Sequence, residues 1–205
     1  MELTLERIRE LAVKTAGYEW YKDVQQTDEF WESSLTVAEG FDVVVEVLEY
    51  IQNQIGGKPL GMDLGAADGV VVLLMHYCGI QAYGIEKVEE RLRVARQSCE
   101  DLGLGDDIGL GLGDWMEDAP YRALGIAVGE VDFFYIYPSP RGTERALALV
   151  EEKAKEGAWL AVNMTTRIDE SEVPACLVRE ARFKGPMGNI DVYRKVDGSF
   201  SELRF

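Results

Sequence analysis

Four acids stand where apolar runs break into small-residue loops: Asp63, Asp68, Glu86 and Asp114. Asp63 lies near the end of the apolar run Leu60 to Leu64, and Gly65-Ala66-Ala67-Asp68-Gly69 follows before a second apolar stretch. Gly65 lets a backbone turn sharply off a strand, and Gly69 lets a helix start close against a sheet. The unpaired N–H groups at such a helix start face any ligand lying across the turn. Asp63 and Asp68 make this turn acidic, which opposes a pyrophosphate and suits an ammonium group. About twenty residues on, Tyr83-Gly84-Ile85-Glu86 ends a second run in an acid spaced to hold a ribose hydroxyl pair. Gly113-Asp114-Trp115 and the run Asp132 to Pro140 repeat the same acid-and-loop punctuation.

The elements that must position these acids alternate. Strands are expected at Leu60 to Leu64, Ile80 to Glu86, Ile108 to Leu112, Val131 to Tyr137 and Ala158 to Val162. Helices are expected between them at Asp68 to Tyr77, Val88 to Leu102 and Thr143 to Lys155, which argues a parallel α/β sheet. Glu170 to Arg182 reads as a last helix, with Pro174 tolerated in its first turn. The C-terminus allows two pairings: a hairpin of Ile190 to Val196 with Phe200 to Phe205 across Asp197-Gly198, or Arg182 to Lys184 against Ile190 to Val196. Upstream, Leu3, Leu5, Ile8, Leu11, Ala12 and Thr15 have helical spacing with Gly17 as a stop. An aromatic segment with Trp20, Tyr21 and Trp31 follows. A second helix carries Phe41 to Gln54, with Ser33, Ser34 or Thr36 as its cap. Residues 1–57 read as a helical and aromatic cap, and residues 58–205 as the domain that carries the acids.

This series of acids and glycines resembles the class I S-adenosylmethionine-dependent methyltransferases, over roughly residues 58 to 196. Their first motif reads acid-x-Gly-x-Gly-x-Gly, matched from Asp63 to Gly69 with Ala67 at the middle glycine. The resemblance implies a Rossmann-like, mostly parallel sheet with an antiparallel C-terminal strand, helices on both faces and the N-terminal cap. It implies S-adenosylmethionine as cofactor, with Gly65, Ala66, Ala67, Asp68 and Gly69 facing its methionine part and Asp63 orienting the ammonium. It also puts Glu86 and Lys87 beside the ribose, Asp114 near the adenine amine and Trp115 beside the adenine ring. The end of the fourth strand faces substrate in this family, which makes Tyr137, Pro138 and Ser139 substrate-contact candidates. Trp20 and Tyr21 are candidates from the cap. The run Tyr137-Pro138-Ser139-Pro140 resembles the Phe-Pro-Asp-Pro segment of tRNA guanine-N7 methyltransferases, with Ser139 in place of the Asp. It is not the Asn/Asp-Pro-Pro-aromatic signature of amino-group methylases of bases.

Composition narrows the partners. The 205 residues carry a net charge of -16, whereas nucleic-acid binders usually carry a basic patch. This argues for a small-molecule substrate over nucleic acid. No apolar run approaches the eighteen or so residues that span a bilayer, and the acidic, amphipathic N-terminus does not read as a signal peptide, so no membrane partner and a cytoplasmic location are expected. Cys78, Cys99 and Cys176 show no metal-ligand spacing, and no metal is expected. His76, the single histidine, falls deep in the helix after the glycine turn, far from the ligand end. No general base is identifiable, and the catalytic residue stays unassigned. A nicotinamide-dependent oxidoreductase is the rival enzyme, since Glu86 suits a dinucleotide ribose equally; a tRNA or protein methyltransferase and a non-catalytic binding protein on the same fold are the others.

Overall fold

In a computed structural model, residues 3–16, 40–137, 140–164, 169–186 and 188–197 are described. Trp20, Tyr21, Pro138, Ser139 and the segment 198–205 lie outside them. The chain runs α1 (Leu5–Ala16), α2 (Phe41–Ile55), β1 (Leu60–Leu64), α3 (Val70–Tyr77), β2 (Gln81–Glu86), α4 (Glu89–Asp101) and β3 (Gly109–Leu112). It continues through α5 (Asp118–Ala123), β4 (Phe133–Ile136), α6 (Pro140–Lys153), β5 (Trp159–Met164), β6 (Leu177–Gly185) and β7 (Gly188–Lys195). The sheet order is β3-β2-β1-β4-β5-β7-β6. Strands β1 to β5 pair in parallel, while β7 runs antiparallel to both of its neighbours. The chain winds outward from β1 through β2 to β3, then returns to lay β4 on the other side of β1. Strand order therefore reverses between β1 and β4, and it is beyond the carboxyl ends at such a reversal that open α/β sheets form their ligand crevice.

Alternation along each central strand feeds two cores. Met62 and Leu64 of β1 join Ile85, Phe134 and the α6 residues Ala146 and Val150 on one face. Phe133 and Tyr135 of β4 join α1, α2 and α3 on the other, through Ile8, Ala12, Val44, Leu48 and Leu73. Helix α3 is apolar on every side because it is buried on every side, from Val70 to Met75. It can lie this close to the sheet because β2 has no side chain at Gly84. A Cβ there would stand 2.7 Å from the Ala66 methyl and 2.8 Å from Val72 Cγ2.

The expected strands and three core helices form, β1 with both ends as expected and the others with ends shifted by at most three residues. Helix α3 begins at Val70 rather than Asp68, and α6 runs from Pro140 to Lys153. The expected cap of α2 is corrected: Gly40 is its N-cap, with no side-chain cap hydrogen bond. The short helix α5 was not anticipated.

The expected last helix, Glu170 to Arg182, is also corrected. Only Glu170–Glu172 makes a 3₁₀ turn, and Leu177–Gly185 is strand β6. Val173, Leu177 and Ala181 mimic helical spacing, but half-buried Ala181 and Phe183 alternate with exposed Arg182 and Lys184. Strand β7 has an edge to satisfy, and pairing with β6 fills it from Leu177↔Lys195 to Gly185↔Gly188. The second of the two C-terminal pairings is the one formed. Phe183 then meets Tyr50 of α2 edge-on at 5.5 Å.

Lys195, at the end of β7, ties this hairpin to α6. Its Nζ donates to the carbonyls of Val150, Glu151 and Ala154 at 2.9, 2.7 and 2.7 Å, at the C-terminal end of α6 where carbonyls lack intrahelical partners or share them. Lys195→Met keeps the aliphatic stem and removes all three bonds. It is expected to cost about 1–2 kcal/mol, read as a fall in Tm of roughly 3–6 °C.

Candidate functional site

The acids predicted from the sequence converge at the strand ends around the turn that follows β1. Alternation puts Asp63 on the α1–α3 face of the sheet, opposite to Met62 and Leu64. The turn leaves β1 with Gly65 at φ +97° and hydrogen bonds from the Gly65 and Ala66 amides to the Ile85 carbonyl, at 2.9 and 3.0 Å. Ala67 adopts φ +46°, in the left-handed region, which explains why this position favours glycine and still admits a single methyl. Gly69 closes the turn at φ +83°, with its amide on the Ala66 carbonyl at 2.7 Å. A Cβ on Gly69 would sit 3.0 Å from the Ala95 methyl and 3.3 Å from the Ala95 Cα of α4.

Each of three buried carboxyls is held differently. Glu86 Oε2 accepts the Ala67 amide and Oε1 the Val88 amide, both at 2.9 Å. Each oxygen keeps a lone pair for a further donor, so Glu86 can brace the turn and grip a diol at once. Asp68 Oδ2 accepts the Thr15 hydroxyl of α1 at 2.6 Å. Asp63 accepts no hydrogen bond from a described residue, although it is only 4 % exposed. Burial pushes its carboxyl well above the usual range, and the nearby charges of Glu86 and Asp68 push it further. The position suits a cation that would neutralise it.

This predicts a stability effect with a definite sign. The folded-state pKa of Asp63 lies above its unfolded value near 3.8. Its stability contribution is therefore fully present below that value and is lost as pH rises through the folded pKa. Asp63→Asn removes the charged form, so the ligand-free variant is expected to melt higher than the parent. The gap should widen as pH rises from about 4 through the folded pKa toward neutrality, and melting curves across that range check it.

Beyond β3, Asp114 and Trp115 form a more open corner, tied to β2 by the Gly113 amide on the Glu86 carbonyl at 3.0 Å. Arg145 of α6 reaches both oxygens of Asp114 at 2.8 Å and lies over the Trp115 ring at 4.9 Å from its centre. Burial tends to raise the Asp114 carboxyl. The Arg145 and Met116 hydrogen bonds, with the Arg145 and Lys87 charges, more than offset this and hold it low. Asp114 is thus already engaged by a guanidinium, and a second donor would have to share its oxygens.

At the ends of β4 and β5, Asn163 Nδ2 donates to the Tyr135 phenol at 2.9 Å, on the same face as Asp63. Burial pushes the Tyr135 hydroxyl above its ordinary range, which keeps it a donor rather than a base. Tyr137 stands half-buried just beyond β4, while Pro138 and Ser139 fall outside the described residues. His76 lies in the last turn of α3, at the end away from the acids. Thr15, Arg145 and Tyr135 were missed as site residues. Thr15 reads in the sequence as a core position of a helix, and nothing near Arg145 in sequence points to Asp114.

No protein-family model and no curated protein matches the chain. Solved structures do. An RNA methyltransferase from Salinibacter ruber in complex with S-adenosyl-L-homocysteine shares 16% identity at a TM-score of 0.54, over 74% of this chain and 92% of that one. A mutant of MtNAS in complex with S-adenosylmethionine matches at a TM-score of 0.60 and 15% identity, over 94% of this chain and 78% of that one. TrmK of M. capricolum in complex with S-adenosylhomocysteine gives 0.53 and 16%, over 73% and 67%. The chain therefore has the class I S-adenosylmethionine-dependent methyltransferase fold. Among the described residues no helix is long and apolar enough to cross a membrane.

Proposed function

We propose that this protein transfers a methyl group from S-adenosylmethionine to a small molecule. The observation that carries the reading is Asp63, a buried carboxyl that accepts no hydrogen bond from a described residue, at the strand-order reversal and flanked by Glu86 and Asp68. The cofactor has an ammonium for Asp63, a ribose diol for Glu86 and an aromatic base for the Trp115 corner. A dinucleotide would place its pyrophosphate at the turn, against the carboxylates of Asp68 and Asp63, which disfavours the oxidoreductase. The methyl donor is a sulfonium and needs little acid catalysis, so holding the methyl in line with a nucleophile is the main task. Tyr137 and the strand end it follows are the proposed substrate side.

The test is calorimetric titration with S-adenosylhomocysteine, with NADH in parallel. Micromolar binding of the first alone is the expected result; binding of NADH alone would overturn the reading. Methyl-labelled S-adenosylmethionine, offered with a small-metabolite extract and with total RNA, then separates the substrate classes. The net charge of -16 favours label in the small-molecule fraction, and label in RNA would overturn that part.

A further inference from the structure

Helix α1 precedes the sheet by more than forty residues, yet it supplies a hydroxyl to the turn after β1. Thr15 is 1 % exposed, and its Oγ1 donates to Asp68 Oδ2 at 2.6 Å. The same oxygen lies 3.2 Å from the Ala12 carbonyl, one turn back along the helix. Ile8 and Ala12, both fully buried, seat α1 in the core cluster that holds α3, so the hydroxyl is presented from a packed helix and not from a loop. Asp68 has a weaker local bond as well: the Val70 amide reaches its Oδ1 at 3.4 Å.

The placement has consequences for charge. Asp63, Asp68 and Glu86 are buried together, at 4, 3 and 4 % exposure, and burial first, then the charges of Glu86 and Asp68, raise the Asp63 carboxyl. A buried carboxylate without donors turns toward water or takes up a proton. Glu86 is fixed by two amides and Asp63 accepts from no described residue, whereas Asp68 takes a short hydroxyl bond from a distant element. A short hydrogen bond from a hydroxyl to a carboxylate is among the stronger kinds. It aims the Asp68 carboxylate and stabilises its negative charge beside the methionine end of the crevice.

We propose that Thr15 is a positioning residue for cofactor binding: its hydroxyl orients Asp68, so α1 is part of the binding site and not an external cap. The inference rests on the reading of the crevice as an S-adenosylmethionine site. It makes the Thr15 hydroxyl one determinant of cofactor affinity, supplied by the N-terminal helix. Because that oxygen acts at the methionine end, the dependence belongs to ligands that carry the amino-acid group.

The test compares the full-length parent with Thr15→Val, which keeps the shape and loses the hydroxyl, and Thr15→Ser, which restores it. Calorimetry reads S-adenosylhomocysteine and adenosine separately. Thr15→Val is expected to weaken S-adenosylhomocysteine about tenfold, leave adenosine unchanged, and lose its effect in an Asp68→Asn background. Thr15→Ser should bind as the parent does. Should valine not fold, Thr15→Ala is read in its place with the same expectations. Equal weakening of both ligands, or none, would overturn the positioning role and leave Thr15 a packing residue. A parent that binds neither ligand would instead overturn the methyltransferase reading on which this rests.

Discussion

Glu86→Ala is expected to lower affinity for S-adenosylhomocysteine by about 10²- to 10³-fold, the largest effect of any single change at the site. Two losses combine in it. In the proposed site the carboxylate would offer charge-assisted acceptors to a ribose diol, each worth about 1.5–3 kcal/mol. It also holds the Ala67 and Val88 amides, so its removal leaves one buried and one part-buried donor unpaired and loosens the turn after β1. Glu86→Gln separates the two: one amide-facing oxygen survives, and the other position becomes a donor opposed to an N–H. An intermediate loss of affinity is expected from it. Calorimetry with both variants checks the order parent, glutamine, alanine; alanine binding within a few-fold of the parent would remove Glu86 from the site.

Gly69→Ala is the second large effect, and it falls on stability first. The backbone there has φ +83°, where a side chain costs about 1 kcal/mol or more. The new methyl would also press on the Cα and methyl of Ala95 at 3.3 and 3.0 Å, and backbone on a packed helix yields poorly. Overpacking adds about 1–3 kcal/mol, so the total is about 2–4 kcal/mol, or roughly 5–15 °C in Tm. The paired change Ala95→Gly removes the methyl contact but not the strain. It should recover part of the loss, and thermal melts of the single and double variants measure that part. Gly65→Ala is the contrast: φ is +97° with nothing within 4 Å of a Cβ, so strain acts alone and the cost should be smaller.

The spacing from Asp63 to Gly69 determined the strand, the turn and, to within two residues, the start of α3 without help from the rest of the chain. Those features obey local rules: left-handed φ at a glycine, an acid on an apolar strand, a helix following at once. Glu86 was legible for the same reason, because the distance from one parallel strand to the next is set by the helix between them. The short connections and alternating runs likewise implied the parallel sheet.

What lay beyond the sequence is whatever depends on partners far along the chain. Leu177–Gly185 carries a spacing compatible with helix, and only the edge offered by β7 makes it a strand. Asp114 reads as an acid free for a ligand, whereas the packing of α6 delivers Arg145 to both of its oxygens. Thr15 sits 53 residues before Asp68 and looks like one more buried helical position. Its role exists because α1 docks on α3 with the hydroxyl at the turn. Local conformation follows from residue type and spacing, but which donor meets a buried carboxylate is decided by how helices pack, and many packings satisfy the same hydrophobic pattern.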